Sequence, residues 1–121
     1  MKNSVEFNID LNVKDNYNWT GFHLACNNGH SKIAGMIMKN SVEFNIELNA
    51  KDNGGCTAFH YACYNGKSSI VELMLSKSEY HKFDLTARTN GGNTGFQLAK
   101  QRGWTNIVNL IKSKMPSVAL N

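Results

Sequence analysis

One ten-residue pattern occurs three times in this chain. It runs from Thr20 to Gly29, from Thr57 to Gly66 and from Thr94 to Gly103, so each threonine and each glycine lies 37 residues from its counterpart. A fixed period of this size marks a repeat array, in which each unit is one supersecondary element that buries its apolar face against the next. The period reaches beyond the pattern: residues 2–16 and 39–53 differ only at Asp10/Glu47 and Val13/Ala50. Such near-identity points to a recent duplication or to an assembled array. Met1 aligns with Met38, so residues 1–11 read as the tail of a preceding repeat.

Every unit has the same internal order. First comes a turn: Asp15-Asn16-Tyr17-Asn18, Asp52-Asn53-Gly54-Gly55 or Thr89-Asn90-Gly91-Gly92. Asn and Gly tolerate the positive φ that tight turns require. A short helix follows, opened by the threonine, whose hydroxyl can accept a first-turn N–H. The glycine ends it, as expected just past a helix. A second helix is predicted over Ser31 to Met38, Ser68 to Leu75 and Thr105 to Ile111, with apolar residues at helical spacing. Last comes a polar connector, Lys39–Asn49 or Ser76–Thr86, that keeps Phe44, Ile46 and Leu48, or Phe83 and Leu85. Their alternation predicts an extended segment with one face packed on the stack. Helices shorter than roughly 12–15 residues are marginal alone in water. Stability must therefore come from stacking, for which about three units are needed.

Unit two places Asp52, Gly55, Thr57, His60, Ala62, Gly66, Ile70, Val71 and Leu73 in the order D-x-x-G-x-T, H-x-A-x-x-x-G and an apolar second helix. Unit one keeps Asp15, Thr20, His23, Ala25, Gly29 and Ile33; unit three keeps Gly92, Thr94, Ala99, Gly103, Ile107, Val108 and Leu110. In these residues the chain resembles the ankyrin-repeat family over nearly all of 12–112. The resemblance implies an all-α, ankyrin-like solenoid of stacked helix-turn-helix repeats with hairpin-like β-turn tips. It implies one domain with repeats at 12–48, 49–85 and 86–121, the last carrying a C-terminal capping tail. Five departures stand out. Asn18 replaces the turn glycine but can visit the left-handed region. Gly35 inside the second helix costs roughly 0.5–1 kcal/mol against Ala. Thr89, Gln97 and Lys100 are the polar changes expected of a terminal unit whose outer face meets water. Gly21, Ala58 and Gly95 stand where the family usually has Pro, so the first turn lacks proline's preset φ. The period also exceeds the family's usual value of about 33. The surplus falls in the connector and predicts a longer loop.

Composition narrows the function classes. The 121 residues, 41% hydrophobic, suit one compact unit. No run approaches the roughly 18 apolar residues of a membrane span. Met1 to Glu6 forms no apolar signal region, so an intracellular, cytoplasmic or nuclear, protein is expected. A net charge of +4 comes from scattered Lys and Arg. Without a dense basic tract, nucleic-acid binding through the basic C-terminal repeat is only an alternative. Three cysteines without framework spacing argue against a secreted disulfide scaffold. Cys26 and Cys63 share a repeat position and are expected to be buried; Cys56, in a turn, is expected to be more exposed.

Catalysis and cofactors find no support. His23-x-x-Cys26 and His60-x-x-Cys63 each put two ligand types one helical turn apart. Stacked helices, however, lie about 8–10 Å apart, and zinc holds its ligands within about 2.0–2.3 Å. No metal is therefore expected. The resemblance implies instead that each His bonds the backbone of a neighbouring turn. Each Cys should fill a small core slot. No strained nucleophile with a base, no phosphate loop and no paired-carboxylate site is visible, so neither enzymatic activity nor a cofactor is expected. Asn18-Trp19-Thr20 fits a glycosylation sequon, read here as chance.

What remains is binding. In ankyrin-like stacks the turn tips and first helices form a concave face for a protein partner. Carried onto this sequence, that face presents Lys14, Asn16, Tyr17, Trp19, Asn27 and Asn28 from unit one. Unit two adds Lys51, Asn53, Cys56, Tyr64 and Asn65; unit three adds Arg88, Asn90, Asn93, Gln101 and Arg102. Tyr, Trp and Arg dominate interface energies because they join large area to a polar handle. Trp104, just after the inter-helix turn, is expected to pack half-buried. The other alternative is a structural piece of a longer array that self-associates through its open repeat ends.

Overall fold

A computed structural model describes residues 12–120, so the expected repeat tail at 1–11 lies outside the described residues. Six α-helices form three helix-turn-helix pairs: α1 (Gly21–Asn28) with α2 (Ser31–Lys39), α3 (Ala58–Tyr64) with α4 (Ser68–Met74), and α5 (Gly95–Arg102) with α6 (Thr105–Lys114). Short 3-10 turns lie at Tyr80–Lys82 and Val118–Leu120, and no strand occurs among the described residues. The first helices pack on one another in the order α1, α3, α5, and the second helices in the order α2, α4, α6. The last helix runs past the predicted Ile111 to Lys114, where Met115 and the turn at Val118–Leu120 pack back against it.

The core lies between the two helix layers and between successive pairs. Phe22, Met38, Phe59, Ile70, Val71, Met74, Phe96, Ile107 and Ile111 are buried, as are Cys26 and Cys63 on the first helices. A Cβ added at Gly95 would stand 2.6 Å from the Phe59 ring and 3.0 Å from Cys63 Sγ. Glycine at that position lets α5 approach α3 closely, in the place where the sequence lacks the expected proline.

The connectors differ from expectation. They are runs of turns rather than extended segments: residues 40–45 form successive turns, with Asn45 at φ +53°, and the second connector contains the 3-10 turn. Ile46, Leu48, Phe83 and Leu85 are buried as the alternation requires, but Phe44 is exposed. The surplus residues coil, and the coiling rotates Phe44 off the packed face.

Asparagines at two repeat positions tie unit to unit. Asn12 donates to Asn45 O at 3.0 Å and accepts from Glu47 N at 2.8 Å. Asn49, 37 residues on, donates to Lys82 O and accepts from Asp84 N, both at 2.9 Å. One asparagine thus staples each connector to the next, and the third unit has Thr86 there. At the tips, Asn53 N donates to Tyr17 O at 3.0 Å and Asn90 N to Gly54 O at 2.9 Å. Asn90 Nδ2 also donates to Asn53 O, at 3.0 Å. Each of these bonds satisfies backbone that would otherwise compete for water.

Candidate partner-binding face

Each first helix is fixed by its threonine. Thr20 Oγ1 accepts from His23 N, and Thr20 N donates to His23 Nδ1 at 3.0 Å; Thr57 and His60 repeat this, with 2.9 Å from Thr57 N to His60 Nδ1. A ring nitrogen that accepts an N–H leaves the proton on the other nitrogen. Nε2 therefore donates across the stack, from His23 to Cys56 O at 3.0 Å and from His60 to Ala87 O at 2.8 Å. Each His links its own helix start to the next turn, as the resemblance implied. In unit three Gln97 keeps the local half of this device, its Oε1 accepting from Thr94 N at 2.9 Å.

The tips are equally determined. Asp52 is buried; its Oδ1 accepts from Gly54 N and Cys56 N, and its Oδ2 accepts from the Tyr61 hydroxyl. Burial and this carboxylate both push the Tyr61 hydroxyl up, because the phenolate would be desolvated beside a negative charge. Asn18 takes the left-handed conformation foreseen for it, φ +64°, and its amide donates to Asn53 Oδ1 at 2.7 Å. Thr20 is buried in the helix cap, which leaves the sequon's threonine engaged. Cys56 is half-buried, and burial first, then Asp52, raises its thiol pKa. Burial raises the Cys26 and Cys63 thiols further. All three cysteines are free thiols.

The expected face residues divide into three groups. Lys14, Asn16, Tyr17, Asn28, Lys51, Tyr64, Arg88, Gln101 and Arg102 are exposed. Asn53 and Asn90 are exposed as well, but their amides bond the preceding tip, to Asn16 O at 3.4 Å and Asn53 O at 3.0 Å. Trp19, Asn27, Cys56, Asn65 and Asn93 are half-buried. Neighbouring units meet along diagonals: Asn65 Nδ2 donates to Asn27 Oδ1 at 2.6 Å, and the Arg102 guanidinium stands 4.4 Å over the Tyr64 ring. Gln101 donates to Asn93 Oδ1 at 3.1 Å. Trp19 packs against Tyr61 with ring centroids 4.6 Å apart and planes tilted by 45°, so its ring is as much packing as surface. Tyr61, half-buried beside Trp19, was not among the residues expected from the sequence. Its neighbours by repeat position are Leu24 and Leu98, and that lone aromatic substitution was the available signal. Trp104 packs half-buried over Gly66 and donates to Tyr64 O at 2.7 Å.

Among the described residues no three His, Cys, Asp or Glu side chains gather where a metal ion could be held. None of the described helices is long and apolar enough to cross a membrane. A family profile of ankyrin repeats in three copies matches residues 1–89. The chain belongs to the ankyrin-repeat family. Ankyrin repeats generally act as protein–protein interaction modules and are generally non-enzymatic. The pair α5 and α6 lies beyond the matched stretch, and its place in this ankyrin stack follows from the repeated cap at Thr94 and from packing of α5 on α3. No curated protein matches the chain.

Proposed function

We propose that this ankyrin stack is a non-enzymatic interaction module whose turn tips and first helices receive a protein partner. The reading is carried by one observation: exposed Tyr17 stands on a tip whose carbonyl is hydrogen-bonded by the next tip, and Arg102 of one unit lies over Tyr64 of the unit before it. Aromatic and Arg side chains supply most interface energy, and a rigid scaffold loses little freedom on binding. The engagement of both ring nitrogens of His23 and His60 in structural bonds supports a role without chemistry. An intracellular setting, cytoplasmic or nuclear, belongs to the same proposal, since free thiols suit a reducing compartment.

The test is capture from an extract of cells that make the protein. Wild type is compared with Tyr17→Ala/Tyr64→Ala, checked for unchanged helical content. Trp19 is left intact because it packs on Tyr61. A protein held by wild type and lost from the variant is expected; equal retention contradicts the face.

Self-association has one observation in its favour. Ile33 is 51% exposed, whereas its counterparts Ile70 and Ile107, covered by a preceding unit, are 1% and 0% exposed. At the other end Lys100 occupies the position of buried Cys26 and Cys63. Stacking on that end would bury an unpaired ammonium, which is strongly unfavourable. Sedimentation at increasing concentration is expected to give a constant coefficient; growth would favour end-to-end assembly.

A further inference from the structure

The tip residues carry a charge pattern with a definite step. Lys14, Lys51 and Arg88 hold one repeat position, 37 residues apart, and all three are exposed. Among the described residues the ion pair formed is Lys82 with Glu79, in a connector; Lys14 and Lys51 form none. Arg88 donates one amino group to Gly92 O at 2.8 Å and to Gln97 at 3.4 Å, which orients the guanidinium and leaves its other donors. The carboxylate nearest in sequence to Lys51, that of Asp52, is buried inside its own turn. The connectors are mixed, carrying Glu43, Glu47, Glu79 and Asp84 together with Lys77 and Lys82. The tips repeat one cation per unit; the exposed Asp15 beside Lys14 is held by Tyr17 N and Trp19 N.

The step length follows from the hydrogen bonds. Each tip is closed on itself, as Asp52 N to Cys56 O at 2.9 Å, and bonded to the tip before it, as Asn53 N to Tyr17 O at 3.0 Å. Two hydrogen-bonded backbone spacings of about 4.8 Å then separate successive cations, about 10 Å in all. Stacked helices give the same figure, 8–10 Å. A polyproline II segment has three residues per turn and rises about 3.1 Å per residue, so every third side chain returns to one face after about 9.3 Å. An extended strand alternates faces with period two and has no such match.

We propose, resting on the face reading above, that the partner presents an acidic segment in polyproline II conformation with a carboxylate at every third residue. Its carboxylates pair with Lys14, Lys51 and Arg88. Tyr17, in the first tip, offers a ring against which a proline of the segment packs, as aromatic grooves do for such helices.

The experiment titrates three fluorescent peptides at low salt, where exposed charge pairs are least screened. One is (Glu-Pro-Ser) repeated four times. A second has the same composition with its four Glu contiguous. A third is a helix-forming peptide with Glu at every seventh residue, which also repeats at about 10.5 Å. The spaced peptide is expected to bind at least about fivefold tighter than its clustered isomer, from several exposed pairs each contributing modestly. Lys51→Glu and, separately, Lys14→Glu are expected to abolish that preference with helical content unchanged. Equal affinity of the isomers, a preference that survives both substitutions, or tighter binding of the helical peptide each overturns the proposal. None of these outcomes touches the Tyr17→Ala/Tyr64→Ala capture result, which decides the face itself.

Discussion

Gly66 shows how one residue joins local conformation to stacking. Its φ is +72°, and a Cβ there would lie 2.8 Å from Trp104, which covers it from the next unit. Gly66→Val therefore meets both a strained backbone and a displaced Trp104. Denaturant titration is expected to register a loss of at least about 2 kcal/mol; unchanged stability would mean that Trp104 does not lie over this turn. His60 is a second single-residue test. Burial, first of all, holds its pKa below the ordinary 6.5, since the imidazolium would be desolvated. The unfolded chain then binds a proton that the folded one refuses. Stability is full above about pH 6.5 and falls as pH drops below it. Gln97 indicates which variant isolates this effect, because it keeps the helix cap with an amide. His60→Gln is expected to lose roughly 1–2 kcal/mol at pH 7.5, with the Ala87 bond, yet to flatten the decline between pH 7 and 5.5. An unaltered pH profile would assign that decline elsewhere.

At the scale of elements, stability resides in contacts between helices too short to stand alone. Gly35 weakens α2, and a Cβ there would meet only Leu73 at an ordinary 3.7 Å. Gly35→Ala is expected to raise stability by about 0.5–1 kcal/mol, read from the thermal midpoint; a drop would reveal crowding between α2 and α4. The helix pairs, their threonine caps and the left-handed Asn18 were legible because local rules determine them: capping, turn chemistry and 3.6-residue spacing. The connectors were less so. Period-two alternation placed Ile46 and Leu48 correctly in the core but not Phe44, because a coiled loop can bury alternate residues without being extended. The asparagine staples at Asn12 and Asn49 were also missed. Their spacing was visible, but a side chain that bonds backbone in another unit leaves no local pattern. For the same reason Trp19 reads as surface in sequence, while its ring packs on Tyr61.

Across the described residues the three helix pairs form one stack, and threonine caps, tip bonds and connector staples recur along it. Two aromatic residues of similar exposure allow the central claim to be tested with a matched control: Tyr64 on the tip-and-helix face, 39% exposed, and Phe44 on a connector, 41% exposed. A photo-crosslinking phenylalanine is placed at each position in turn, and the protein is irradiated in extract from cells that make it. The account predicts a discrete heavier adduct from position 64 and none from position 44. An adduct from position 44 alone, or equally from both, would contradict a binding face built on the tips and first helices.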